Sequence, residues 1–201
     1  MTYVLGAKCT DGVVLVSDTK FTTYSGTDDY YDDKITGEKP SVLTAFSGSR
    51  EPFEEFRMRL REFVREHGNK TDRISLDKLI INIGHIMDYL DRHYSNYPFD
   101  LLVGKTANPS ILYYFYQDGR LESVTNYKAI GSGATHGLIY LKKHFENKSM
   151  DKIAELGYFI VRYIERFGLD CGVGTGKSKS NPQIRFVPND KDDYVLRKKR
   201  K

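Results

Sequence analysis

The sequence predicts an α+β fold: a four-layer αββα sandwich in which two antiparallel sheets are flanked by helix pairs. Three observations predict it. Apolar residues alternate with a strand period, then repeat with a helical one, in the order strands, two helices, strands, two helices, strand. Asp-Gly pairs at Asp11-Gly12 and Asp118-Gly119 sit between β-rich runs and mark hairpins, which make the sheets antiparallel. Each helical segment carries one apolar stripe, so a helix pair must cover an outer face of each sheet.

The elements follow in order. Thr2 to Cys9 and Val13 to Asp18 read as strands joined by Thr10-Asp11-Gly12. A polar stretch from Tyr24 to Asp33 reads as a solvated loop. Its Asp28-Asp29-Tyr30-Tyr31-Asp32-Asp33 lacks the alternating ligands and distant glutamate of a calcium loop. Lys34-Ile35 begins a short strand and Ser41 to Ser47 forms another. Phe53, Phe56, Leu60, Phe63 and Val64 then share a helical face, with Ser49 as cap and Pro52 in the first turn. A second helix runs from Ser75 to His93, with Leu79, Ile83, Ile86, Met87 and Leu90 inward. Strands return at Phe99 to Val103, Ile111 to Tyr116 and Leu121 to Thr125. Helices at Thr135 to Phe145 and Asp151 to Phe167, a loop from Gly172 to Asn181, and a last strand at Gln183 to Val187 complete the chain.

The 201 residues suffice for one domain with a substantial core, expected over residues 1–190. Hydrophobic residues at 39% and charged residues at 29% suit a soluble domain, and no apolar run reaches the ~18 residues of a membrane span. The first residues alternate like a strand rather than reading as a signal peptide, and two cysteines, Cys9 and Cys171, give no disulfide framework. A cytoplasmic location is expected. The net charge of +4 is set by Arg197-Lys198-Lys199-Arg200-Lys201, without which the chain is one unit negative. Residues 191–201 therefore read as a basic, disordered tail. With no aromatic residues interleaved among those charges, nucleic-acid binding is not expected.

Gly172-Val173-Gly174-Thr175-Gly176-Lys177-Ser178 imitates a phosphate-binding loop, but Cys171 occupies the first glycine position and a helix, not a strand, precedes it. His67, His85, His93, His136 and His144 show no metal spacing, and His85, among core positions, reads as a buried residue. Cys171 reads as a small buried thiol. No metal and no cofactor is implied.

Thr2 is different. Initiator methionine is normally removed ahead of a small residue, which would leave Thr2 with a hydroxyl and a free α-amine, a nucleophile with its base attached. Alone, Thr2 would merely start an edge strand, Asp18 end a strand in a turn, Lys34 stand beside an acidic loop and Gly48 make a turn. Together, Thr2, then Lys8-Cys9-Thr10-Asp11-Gly12-Val13-Val14-Leu15, Ser17-Asp18, Lys34-Ile35 and Phe46-Ser47-Gly48-Ser49 resemble the proteasome family of N-terminal nucleophile hydrolases, its catalytic β-type subunits above all. The intervals Thr2 to Asp18 and Asp18 to Lys34 match without a gap. Leu101-Leu102-Val103-Gly104 resembles the family's central strand, Ala129-Ile130-Gly131-Ser132-Gly133 its Gly-Ser-Gly turn, and Asp170-Cys171-Gly172-Val173-Gly174 its late Asp-x-x-Ser-Gly or Asp-x-x-Val-Gly.

The resemblance implies the same αββα sandwich and a threonine-type peptidase. It makes Thr2 the nucleophile, Lys34 the cation that disfavours protonation of the amine, and Asp18 the counter-ion of Lys34. It makes the Gly48 N–H the oxyanion donor, and Ser132 and Asp170 the support around the amine. Phe21, Asp32, Phe46 and Arg50 would line the substrate pocket, whose mixed charge predicts no plain hydrophobic preference. Val173 stands where active subunits usually carry serine, and only Met1 precedes Thr2. The implied partners are a peptide or unfolded protein substrate, a homo-oligomeric ring of like subunits and an ATPase unfoldase. Two alternatives stay open: a catalytically silent structural subunit, and a transpeptidase or small-amide hydrolase on the same fold.

Overall fold

The computed structural model describes residues 2–22, 29–39, 42–68, 76–146, 148–166 and 182–189. Asp170, Cys171, Val173, the Gly172–Asn181 loop and the 191–201 tail lie outside the described residues.

One sheet has the order β10-β1-β2-β11, built from β1 (Val4–Cys9), β2 (Gly12–Ser17), β10 (Tyr127–Ile130) and β11 (Gln183–Pro188). The other has the order β5-β6-β7-β8-β9, from β5 (Ile35–Lys39), β6 (Val42–Gly48), β7 (Phe99–Lys105), β8 (Ile111–Phe115) and β9 (Leu121–Ser123). Among the described residues, neighbouring strands of both sheets pair antiparallel. A small ribbon pairs β3 (Lys20–Thr22) with β4 (Asp29–Tyr31), and β4 falls within the Tyr24 to Asp33 stretch that reads from sequence as a solvated loop. Helices α1 (Arg50–Gly68) and α2 (Leu76–His93) cover the second sheet; α3 (Ala134–His144) and α4 (Met150–Arg166) cover the first.

The period-2 pattern becomes three cores. Tyr3, Leu5, Val14 and Val16 face α3 and α4, while their neighbours Val4, Val13 and Leu15 face the other sheet. Across the gap, Ala45 and Leu102 point inward, and Phe46, Leu101 and Val103 point out to α1 and α2. Packing, not surface charge, docks the helices. Phe53 and Phe56 of α1 are buried, each contributing roughly 1.5–3 kcal/mol. An exposed pair such as Arg92–Asp88 contributes only about 0.3–0.5 kcal/mol.

His85 departs from expectation and is exposed. The buried stripe of α2 runs through Leu79, Ile83, Ile86, Met87 and Leu90. His85 follows Ile83 by two residues, which turns it roughly 200° away from that position. The strand β10 is also absent from the sequence-based reading, and it is the strand that delivers Ser132.

Candidate active site

Strand ends of both sheets supply the residues of the site. Alternation along β1 turns Tyr3 outward and Val4 inward, so Thr2 stands on the inter-sheet side, 5% exposed. Asp18 follows β2 directly. It continues the β1–β2 ladder with its N–H donated to the Tyr3 carbonyl at 3.0 Å, while the Tyr3 N–H donates to Asp18 Oδ1 at 2.9 Å. Lys34 precedes β5 on the facing sheet, where its carbonyl accepts from the Phe46 N–H at 3.0 Å.

These three residues meet. The Lys34 and Asp18 side chains are fully buried, with Lys34 Nζ 2.7 Å from Asp18 Oδ1. The same nitrogen donates to Thr2 Oγ1 at 3.1 Å and to the Lys20 carbonyl. All three partners are oxygen acceptors of the kind an ammonium serves. Among the described residues, Asp18 Oδ2 is buried without a hydrogen-bond partner. A buried charge costs several kcal/mol unless paired, so each partner here depends on the other.

Ser132 reaches the site from the opposite side. β10 pairs with β1 in the register Val4 to Ile130. Gly131 then turns the chain at φ +91°, a conformation that side-chain-bearing residues rarely adopt. The Thr2 main-chain nitrogen donates to Ser132 Oγ at 3.0 Å, and the Thr2 carbonyl accepts from the Gly133 N–H at 3.0 Å. A Cβ on Gly131 would lie 2.3 Å from the Thr2 carbonyl oxygen and 2.7 Å from Ser47 Oγ, so β6 ends against Thr2 as well.

Gly48 is the last residue of β6, two positions before α1, at φ +136°. A Cβ there would come within 2.4 Å of the Pro98 carbonyl. The stretch from Ser47 to Arg50 thus carries the chain from β6 into the N-terminal end of α1, where the helix dipole favours negative charge.

Of the residues expected to line a substrate pocket, Phe21 adjoins the cluster, its ring centroid 4.9 Å from Lys34 Nζ. Phe46 sits in the helix-side core, stacked on Phe99 and joined to Phe21 through Phe53. Asp32 hydrogen-bonds the Asp33 N–H, and Arg50 lies 4.0 Å from Glu54. Asp170 lies outside the described residues.

Sequence reasoning missed two neighbours. Gln183 is named from sequence only as a strand start, yet its buried amide bonds to Ile35, next to Lys34. Asp100 stands opposite Ser47 across β6–β7 and accepts a hydrogen bond from Tyr114 at 3.0 Å. Burial raises the Asp100 carboxyl above its ordinary 3.8, and burial likewise pushes the Tyr114 hydroxyl up. An acid with a raised folded value stabilises the fold below 3.8, and that contribution is lost as pH rises through the folded value. Asp100→Asn, which keeps the acceptor for Tyr114, is therefore expected to raise Tm at pH 7 and to match the native protein near pH 3. Thermal melts across pH test this, and an unchanged or lowered Tm at pH 7 would oppose it.

The family model described as Proteasome subunit matches residues 2–166. A search of curated proteins returns no match. Among solved structures, the chain is similar to the Anbu (ancestral beta-subunit) protein from Yersinia bercovieri. The TM-score is 0.75 and the identity 13%, over 98% of this chain and 92% of that one. A Gly-1 mutant of Anbu from Hyphomicrobium sp. strain MC1 is similar at TM-score 0.73 and 13% identity, over 98% and 91% of the two chains. At that identity the likeness shows the fold.

Proposed function

The chain belongs to the proteasome subunit family, and from that premise we propose that it is a threonine-type N-terminal nucleophile peptidase, cleaving peptide bonds through an acyl-enzyme on Thr2. One observation carries the reading: Lys34 Nζ reaches Thr2 Oγ1 at 3.1 Å while paired to Asp18 at 2.7 Å. A hydroxyl is a weak nucleophile until a base takes its proton, and a buried cation beside it favours the ionised oxygen.

In the proposed reaction, removal of Met1 turns the Thr2 nitrogen into an α-amine, held by Ser132 and supported by Asp170. The amine takes the Oγ1 proton as Oγ1 attacks the substrate carbonyl carbon. The Gly48 N–H stabilises the resulting oxyanion, a donor whose loss typically costs ~10²–10³ in rate. The carbon–nitrogen bond then breaks, the protonated α-amine gives its proton to the leaving amine, and an ester remains on Thr2. Water attacks that ester with the α-amine again as base, releasing the acid and restoring the hydroxyl. Lys34 keeps its proton throughout, because Asp18 stabilises its charge.

Phe21, Asp32, Phe46 and Arg50 are the proposed wall of the substrate pocket. The proposed substrate is a peptide or unfolded protein, the assembly a homo-oligomeric ring, the location the cytoplasm, and the partner for folded substrates an ATPase unfoldase. No helix among the described residues is long and apolar enough to cross a membrane.

Product analysis on a peptide substrate with an added amine tests the reaction. The native chain should give the hydrolysed acid as main product, and Thr2→Ala should lower turnover by at least ~10³-fold. A dominant amide with the added amine would make the protein a transpeptidase. Equal turnover by Thr2→Ala would overturn the nucleophile.

A further inference from the structure

Gln183 opens β11 opposite Ser17 of β2, but its side chain leaves that ladder for the other sheet. Its Oε1 accepts from the Ile35 N–H at 2.8 Å and from Ser17 Oγ at 3.3 Å, and its Nε2 donates to the Ile35 carbonyl at 3.0 Å. The opposite amide orientation would set donors against donors, so the network fixes which way it points. Ile35 begins the edge strand of its sheet, and the Gln183 amide supplies the two main-chain partners that a neighbouring strand would otherwise provide.

The two residues it grips flank the ion pair. Ser17 directly precedes Asp18, and Ile35 directly follows Lys34. A single amide, 6% exposed, thus ties together the two chain segments whose side chains meet at 2.7 Å. From the β6 side, the Phe46 N–H holds the Lys34 carbonyl; from the β11 side, Gln183 holds the next residue. Lys34 hangs between these anchors, and its reach to Thr2 Oγ1 follows from where they stand.

We infer that Gln183 is a positioning residue that sets the Asp18–Lys34 separation and so the approach of Lys34 Nζ to Thr2 Oγ1. The inference rests on Thr2 as the nucleophile only for its catalytic consequence. A leucine at 183 leaves both Ile35 main-chain groups without the amide. A glutamate keeps the shape and acceptors, loses the donor to the Ile35 carbonyl, and adds negative charge beside Asp18 and Lys34.

The test measures Gln183→Leu and Gln183→Glu in the full chain by two readouts. One is acylation of Thr2 by a peptide epoxyketone, resolved into a limiting rate and a half-saturating concentration. The other is the Lys34 ammonium signal in nitrogen-edited NMR, assigned by its loss in Lys34→Arg. The limiting rate should fall roughly 10–100-fold, with the half-saturating concentration within about twofold of native, and the Lys34 signal should shift or broaden. A purely structural role would lower Tm and leave both readouts of the folded protein unchanged, which would overturn the inference. If the leucine variant fails to fold, the glutamate variant decides on the same readouts. If the native chain is not acylated, the proposed function fails, and the Lys34 signal alone decides for or against Gln183.

Discussion

Lys34→Met is expected to abolish acylation of Thr2 and to lower stability by about 3–5 kcal/mol, because it strands the fully buried Asp18 carboxylate. At about 2–4 °C per kcal/mol for a chain of this size, Tm should fall by roughly 6–20 °C. The two effects have different origins, and a second substitution separates them. Asp18→Asn added to Lys34→Met removes the stranded charge and still offers an oxygen to the Tyr3 N–H, which Asp18 accepts at 2.9 Å. The double variant should regain most of the lost Tm and none of the acylation. Thermal melts with acylation assays on both variants check this. Acylation of Lys34→Met within tenfold of native would remove Lys34 from the mechanism.

Gly131→Ala should cripple the site from the other side. At φ +91° an alanine carries roughly 1–3 kcal/mol of strain, and its Cβ would stand 2.3 Å from the Thr2 carbonyl oxygen. Something must move. Ser132 and Gly133, which hold the Thr2 nitrogen and carbonyl, are the next two residues and shift with it. A displacement of about 1 Å at the reacting group costs on the order of 10²-fold, so acylation should drop by at least that factor. Gly119→Ala provides the control. Gly119 has φ +78° at the β8–β9 turn, and an added Cβ meets nothing closer than 3.4 Å. That variant should lose stability to backbone strain yet acylate at the native rate. Equal loss in both variants would make the Gly131 effect general destabilisation instead of displacement of Thr2.

What the sequence shows of this site follows from the range over which each contact acts. Thr2, Asp18 and Lys34 are legible through their resemblance to a family pattern, whose intervals the β1–β2 hairpin and the run up to β5 preserve. The helix stripes are legible because burial repeats along a single element. By contrast, Gln183 meets Ile35 across 148 residues, and a lone polar residue at a strand start carries no local signal of such a contact. The strand β10 is four residues long and owes its conformation to pairing with β1, so the run Tyr127–Ile130 reads only as the approach to a turn. His85 shows the reverse error: apolar neighbours in sequence suggest burial, while helical geometry turns the residue to solvent.

Whether Thr2 is an N-terminal nucleophile is read from the intact mass of the purified chain, with and without a peptide epoxyketone, beside Thr2→Ala. The probe forms its full adduct only with a hydroxyl nucleophile next to a free amine. A Thr2 nucleophile should show loss of Met1 and one adduct per chain, absent in Thr2→Ala. A folded chain that retains Met1, or has lost it and still takes up no probe, would contradict it.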